Sequence, residues 1–323
     1  MVNEPPHSPQ ADADLEGASW LGVQPTEAGT LILEDIGHGH GDEEDVAHKR
    51  KGKFGPLFFI SLAWLAIVVI CAAFADFLPV KDPNYQDYSN FQVPPGTNGY
   101  ILGTDNNGRD ILARLVFGAR VSVIISVTAV SVGIVVGGAL GLAAGYLRGK
   151  VEGTINFGVN VLLAFPGLIL LLALVAFVGQ SLGAVTAAVA FLSIPTYTRV
   201  SRATTLTVSQ REYVLAAKAM GARNKRILFK EIAPNVLLPV AAFGLLALGT
   251  IIVLEASLAF LGLSVELPQA TWGGMIADGR PEITNGIYYL VLIPSLVLFF
   301  TVFSLNYVGD GLRNRFDVRE SQL

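Results

Sequence analysis

The sequence predicts an all-α membrane protein with six transmembrane helices, and two observations carry that prediction. The chain is 52% hydrophobic and only 15% charged, whereas a soluble globular domain carries about a quarter charged residues. The deficit is also concentrated. No charge falls between Gly55 and Ala75, Val121 and Leu147, Gly153 and Thr198, or Ile283 and Gly309. A spanning helix needs about 20 apolar residues to cross roughly 30 Å of hydrocarbon. Each window is long enough, and the third is long enough for two crossings.

Taken in order, the spans are expected at residues 56–77, 121–147, 155–178, 182–198, 236–258 and 287–308. Gly179, Gln180, Ser181 and Gly183 mark the break between the third and fourth. These spans form a membrane domain at 54–323, preceded by an acidic tail at 1–53. Residues 1–48 hold eleven Asp or Glu and no Lys or Arg, so the overall charge of −4 hides a body of 22 − 15 = +7. The tail has the composition of a disordered segment. All four histidines, His7, His38, His40 and His48, lie in it. They show no tetrahedral ligand spacing, so a solvated linker is expected rather than a metal site. No basic and apolar leader opens the chain, so the first span is expected to remain as an anchor. Cys71 is the single cysteine, which excludes an intrachain disulfide and fits a packing role.

Orientation follows from the basic residues. With the amino terminus inside, 17 Lys or Arg fall on the cytoplasmic side and 5 outside, the latter being Lys81, Arg109, Arg114, Arg120 and Arg280. The positive-inside rule therefore puts both termini in the cytoplasm. In the second span Gly133, Gly137, Gly141 and Gly145 recur every four residues. Such a row is a ridge without side chains, where a neighbouring backbone can approach closely. The neighbour is either another helix of the same chain or one of a partner subunit.

The sequence holds little that could be catalytic. The nearest approach to a phosphate-cradling G-x-x-x-x-G-K-[ST] loop runs from Gly145 to Lys150, with one residue too few between the glycines. A membrane Ser-His hydrolase needs a histidine at membrane depth, and an aspartyl protease needs two facing aspartates. Asp310 follows the sixth span and Asp76 bounds the first, with no second Asp inside a span. The chain is expected to be no enzyme and to bind no cofactor or metal. Glu255 is the one clear acid inside an expected span. A charge there is costly unless paired or hydrated. It either lines a pathway and meets a substrate ammonium group, or sits near the outer interface against a helix end or an arginine.

The cytoplasmic loop at 209–234 reads SQREYVLAAKAMGARNKRILFKEIAP. Ser209 is placed to cap a helix, with Glu212 as its capping-box partner. Tyr213, Ala216, Ala217 and Met220 then share one face. Gly221 suits a sharp helix ending, and Ile227 and Phe229 mark a second short helix before Pro234. Two short helices with an apolar face fit a docking knob, or an amphipathic segment lying on lipid.

This loop resembles the EAA loop of ABC importer permeases, through Ala216, Ala217, Gly221 and Pro234. The resemblance extends to LGTDNNGRDILARLVFGARVS (Leu102 to Ser122), LEASLAFLGLSVELPQATWGGMI (Leu254 to Ile276) and NYVGDGLRNRFDVR (Asn306 to Arg319). These are similar to segments of the C-type permeases of dipeptide and oligopeptide importers. The resemblance covers most of the chain from Phe54 onward and implies the type I ABC importer permease fold. It implies that Tyr213, Leu215, Ala216, Ala217, Met220, Gly221 and Ala222 dock a cytoplasmic ATPase. Leu215 replaces the glutamate that names the loop, so docking here would rest on shape. The implied partners are a second, homologous permease, two ATPases that bind ATP and magnesium, an extracytoplasmic peptide-binding protein and membrane lipid; no nucleic acid is expected. Transport would proceed by alternating access. The competing readings are an importer of the same build for nickel or haem, a secondary transporter, and a membrane-anchored structural protein. A secondary transporter commonly shows repeats and midplane ion sites, and the sequence offers no clear repeat and one candidate acid.

Overall fold

A computed structural model describes residues 55–320, with side chains described as far as Arg313. The expected tail and its four histidines lie outside the described residues. The regular elements of the described part are helices, with isolated bridges in its longest loop. Helix α1 spans Pro56–Phe74 and ends in a 3-10 turn at Ala75–Phe77; Pro56 sits in its first turn, where no N–H is needed. Helix α2 (Ile111–Val132) continues through a π turn at Gly133–Gly137 into α3 (Gly138–Leu147). Then come α4 (Gly149–Leu163), α5 (Gly167–Val178), α6 (Leu182–Val208) and the short α7 (Glu212–Ala219). A single turn, α8 (Asn224–Arg226), runs through a π segment at Ile227–Ile232 into α9 (Ala233–Phe260). Helices α10 (Trp272–Gly279) and α11 (Tyr289–Glu320) complete the chain.

Four helices among the described residues are long and apolar enough to cross a membrane: Pro56–Phe77, Ile111–Leu147, Asn224–Phe260 and Tyr289–Arg313. Counting α4 and α5 as one broken span gives a fifth. Several expected boundaries are corrected. The second span starts at Ile111 rather than 121, because Asp110 caps it by accepting the Leu112 N–H at 2.9 Å. Arg114 and Arg120 are thus inside the helix, beyond the charge-free window. The expected span at 155–178 is two helices bent by 84°. Pro166 disfavours a helical Phe165 and so enforces the break. The fourth helix runs on from 198 to Val208. It carries Arg199 and Arg202 but also packs centrally, burying Thr198, Ser201 and Thr205. A helix enclosed by other helices need not be apolar on every face.

Contacts define two ends of the bundle. At one end Glu266 N–H donates to Gln180 O, Asn106 to Asp278 O and Arg114 to Pro268 O. At the other, Tyr146 reaches Asn224. Two apolar clusters lie between. The larger joins α2, α5, α6, α7 and α9 through Ile125, Leu171, Val185, Val214 and Val240. The smaller joins α1, α2, α9, α10 and α11 through Val68, Leu115, Ile252, Trp272 and Leu290. Trp272 Nε1 donates to Leu115 O at 3.0 Å, and Trp64 Nε1 to Thr301 Oγ1 at 3.1 Å.

Helices α2–α3 pack closely against α6. A Cβ on Gly137 would lie 2.6 Å from Ile194 O, and one on Gly145 would lie 2.7 Å from Thr205 Cβ. Gly133 meets the Tyr197 ring and Gly141 the Thr198 carbonyl in the same way. Backbone approach this close lets Ser193 and Ser201 donate across the seam, to Ala129 O at 2.9 Å and Gly138 O at 2.8 Å. Gly138 is a useful contrast, since a Cβ there meets nothing within 4 Å. Gly137→Ala should destabilise the protein by about 1–3 kcal/mol, the usual cost of overpacking, while Gly138→Ala should not. Denaturant-induced unfolding in mixed micelles measures this, and equal midpoints for the two variants would reject a backbone-limited seam.

Candidate functional site

Helix α7 presents exposed apolar side chains outside the long helices. It starts at Glu212 with Arg211 as its N-cap and no capping side chain. The expected capping box is absent: Ser209 instead ends α6, its hydroxyl donating to Leu206 O at 2.9 Å. The expected apolar face is also split. Val214 and Ala217 point into the bundle, while Tyr213, Ala216 and Met220 point outward. Met220 is 81% exposed and Leu215 51%. Val214, which the sequence pattern did not single out, is the anchor.

The end of α7 is tightly specified. Ala222 N–H donates to Ala217 O at 3.1 Å and Gly221 N–H to Lys218 O at 3.0 Å. That is the double bond pattern of a Schellman cap, with Gly221 at φ +76°. A Cβ at Gly221 would find open space, so the demand is purely conformational. The second short helix of the loop is not separate, as expected, but the first part of one helix from Asn224 to Phe260. The π segment before Pro234 accounts for this, since a widened turn accommodates a residue that brings no N–H. Ile227 is buried beneath it and Phe229 exposed. Tyr146, at the end of α3, holds the loop from the side. Its hydroxyl lies 3.2 Å from Asn224 Oδ1, and the Lys218 ammonium lies 5.8 Å from its ring. Arg202 pairs with Glu152, and Arg199 donates to Asn160 at 2.8 Å, tying α4 to α6 nearby.

Glu255 sits toward the other end of α9. It is 1% exposed and accepts hydroxyl bonds from Ser264 at 2.9 Å and Ser122 at 3.3 Å. No arginine or lysine forms an ion pair with it among the described residues. A group open to a passing substrate would have to part from these two serines first. Ser122 is on α2, but Ser264 lies in the non-helical stretch after α9.

At the loop end of the bundle is an ionic cluster that neither charge counting nor periodicity finds. Asp105 Oδ2 accepts from Arg109 Nε at 2.7 Å and lies 3.5 Å from Arg114 Nε. Its Oδ1 accepts from the backbone of Asn107 and Arg109. Arg114 is 2% exposed and donates to the carbonyls of Pro83 and Pro268. Arg109 reaches Asp278 at 3.5 Å. Burial raises the Asp278 carboxyl above the usual range, against the lowering pull of Arg114 and Arg109. The cluster pins the loop before α2 to α10, and its signal in the sequence is the dense D-N-N-G-R-D run at Asp105 to Asp110.

Comparison with known proteins fits this architecture. The family model described as "Binding-protein-dependent transport system inner membrane component" matches residues 137–322. The di/tripeptide transport system permease protein DppC of Pseudomonas aeruginosa is 36% identical over 279 residues, covering 85% of this chain and 90% of the relative. The glutathione transport system permease protein GsiD of Pectobacterium atrosepticum is 36% identical over 255 residues, covering 79% and 84%. Among solved structures, a chain of the MetNI methionine ABC transporter in an inward-facing conformation aligns with a TM-score of 0.54 at 20% identity, covering 64% of this chain and 97% of that one. The all-helical membrane architecture, the family model and these relatives together make the chain a member of the binding-protein-dependent transport system inner membrane component family, the permease components of ABC importers.

Proposed function

We propose that this permease carries di- and oligopeptides inward across the cytoplasmic membrane by alternating access, driven by separate ATPase subunits that dock on the 209–234 loop. The observation that carries the coupling reading is the outward face of α7. Tyr213, Leu215, Ala216 and Met220 stand exposed on a helix whose inner side is anchored by Val214 and whose end is locked by Gly221. A flexible segment could be pushed without moving anything. A locked helix packed against its neighbours transmits displacement. The peptide cargo is supported by the di/tripeptide relative, and the glutathione relative handles a peptide-like compound by name.

The remaining elements of the proposal follow from the same frame. The chain crosses the membrane six times, with α4–α5 as one broken crossing and α6 as another, and both termini lie in the cytoplasm. It pairs with a homologous permease, two ATPases that bind ATP and magnesium, and an extracytoplasmic peptide-binding protein, and it performs no covalent chemistry itself. Nucleotide shifts the balance of states only through its different affinity for each. Glu255 faces the pathway in the state where the Ser264 stretch moves away from it.

Two substitutions test these points. Proline fixes φ near −65° and has no N–H, so Gly221→Pro should abolish ATP-driven uptake of a labelled dipeptide while the protein still inserts. Gly221→Ala, strained by about 1–2 kcal/mol in the left-handed region, should reduce uptake and not abolish it. Normal uptake by the proline variant would reject docking through this loop. Glu255→Gln keeps the shape and should weaken uptake of dipeptides with a free amino terminus more than of N-acetylated ones. An equal effect on both would remove Glu255 from the pathway.

A further inference from the structure

A cleft of about 590 Å³ opens at the end of the bundle that carries the long loop. Small-molecule sites typically measure about 300–1,000 Å³. Three separate stretches build its walls: residues 75–84 after α1, one face of α2 at Phe117, Arg120 and Val121, and residues 268–270 after α9. Its charged groups are two cations, Arg120 and Lys81, and two carboxylates, Asp76 and Asp82. Leu78, Val80, Phe117, Val121 and Pro268 supply apolar wall between them.

The charges are held in place by local structure. Arg120 Nε donates to Ala72 O at 2.9 Å and Nη2 to Asp76 Oδ2 at 2.8 Å. A guanidinium has five N–H donors, so these two bonds leave it able to reach an anion in the cleft. The Lys81 ammonium lies 3.4 Å from the centre of the Tyr100 ring. Asp82 opens a turn in which its Oδ1 accepts the Asn84 N–H at 2.8 Å. A cleft lined by one sign of charge concentrates ions of the other sign. This one is balanced, and a balanced pair of charge sets complements a ligand that carries both signs.

We propose that the cleft binds a small zwitterion, with Arg120 and Lys81 facing its anionic group, Asp82 and Asp76 its ammonium group, and the apolar wall its stem. Two sources share that chemistry. One is a short peptide with free termini, and this source rests on the peptide-import reading. The other is the phosphoethanolamine headgroup of a lipid, whose chains would lie along the exposed Ile70, Phe74 and Phe77 of the first span.

The test uses the full chain with its partner permease and ATPases in phosphatidylglycerol nanodiscs, without the binding protein. Binding of radiolabelled Ala-Phe is measured against N-acetyl-Ala-Phe, Ala-Phe amide and phosphoethanolamine as competitors. Ala-Phe or phosphoethanolamine should bind, and blocking either charge of the peptide should weaken competition about tenfold, as expected for one charge-assisted contact. Lys81→Gln and Asp82→Asn should each weaken binding by a similar factor with unchanged thermal midpoints. They are the informative variants, because Arg120 also ties α2 to α1. Competition by phosphoethanolamine, and by phosphatidylethanolamine in the nanodisc, assigns the cleft to lipid; competition by zwitterionic peptides alone assigns it to peptide. Binding of neither, or binding unchanged in both variants, overturns the site. Uptake in the same preparation with the binding protein restored separates the two readings. Peptide uptake without cleft binding keeps import and rejects the cleft, and cleft binding without ATP-driven uptake does the reverse.

Discussion

The rest of the bundle depends on one close contact, the seam between the glycine row of α2–α3 and the backbone of α6. Inside a bilayer the hydrocarbon solvent is as apolar as a leucine, so burial alone does not hold two helices together. Van der Waals contact and hydrogen bonds across the interface must do it. The row at Gly133, Gly137, Gly141 and Gly145 lets α6 come near enough for both. With Ile194 O only 2.6 Å from the place of a Gly137 Cβ, no larger residue would keep the same distance. That distance is also what brings the Ser193 and Ser201 hydroxyls onto carbonyls of the opposite helix. Once α6 is fixed this way, it becomes the core around which α2, α5 and α9 pack through Val185, Val189 and Tyr197. It can then carry two arginines and a row of buried hydroxyls without facing lipid on all sides.

The sequence was most legible where the physics is one-dimensional. Charge-free windows locate hydrocarbon-spanning stretches because solvation cost depends mainly on composition. They locate α1 well and the middles of the other long helices. They do not locate helix ends, since the windows stop at the first charge and the helices do not. Arg114 and Arg120 lie inside α2, and Arg199 and Arg202 inside α6. Each has a partner or a carbonyl waiting, and those partners come from distant parts of the chain. The bend at Pro166 was readable in principle from the proline and its neighbour, but its direction depends on α6 receiving Glu152 and Asn160. The loop at 209–234 was legible as a motif and less so as geometry. Ser209 looked like a start and serves as an end, because α6 runs ten residues farther than a membrane window suggests, from Thr198 to Val208. Val214 was hidden by its neighbours: four apolar positions share a face on paper, and only the tertiary context decides which are covered.

The buried ionic cluster illustrates the limit more sharply. Asp105, Arg109, Arg114 and Asp278 are ordinary charged residues in a polar stretch when read alone. In the folded chain two of them are almost without solvent. Buried charges are tolerated only when paired and bonded, and here backbone N–H groups and two proline-segment carbonyls complete the set. The pairing joins the loop before α2 to the helix after α9. It closes the loop end of the bundle as a rigid cap, and its partners are separated by more than 150 residues along the chain.

The two ends of the bundle are therefore built on different principles, and the difference fits a device that moves as a body. The loop end is held by buried charge and by Trp272 on the Leu115 carbonyl, interactions with strict geometry. The opposite end presents α7, a short helix with an anchored inner side and an open apolar outer side. The two are joined by one helical run from Asn224 to Phe260, made of α8, the π segment and α9. In the proposed coupling, displacement applied to α7 would pass to the start of α9 through Tyr146, Asn224 and the packing of Val214. A helix absorbs little displacement along its axis, so under that proposal the motion would emerge where α9 meets its neighbours. Near its far end that neighbour is Ser122 on α2, with Glu255 between them. The buried Glu255 thus sits where a tilt of α9 against α2 would first be felt, and the two serine hydroxyls that bond it belong to separate elements, α2 and the stretch after α9.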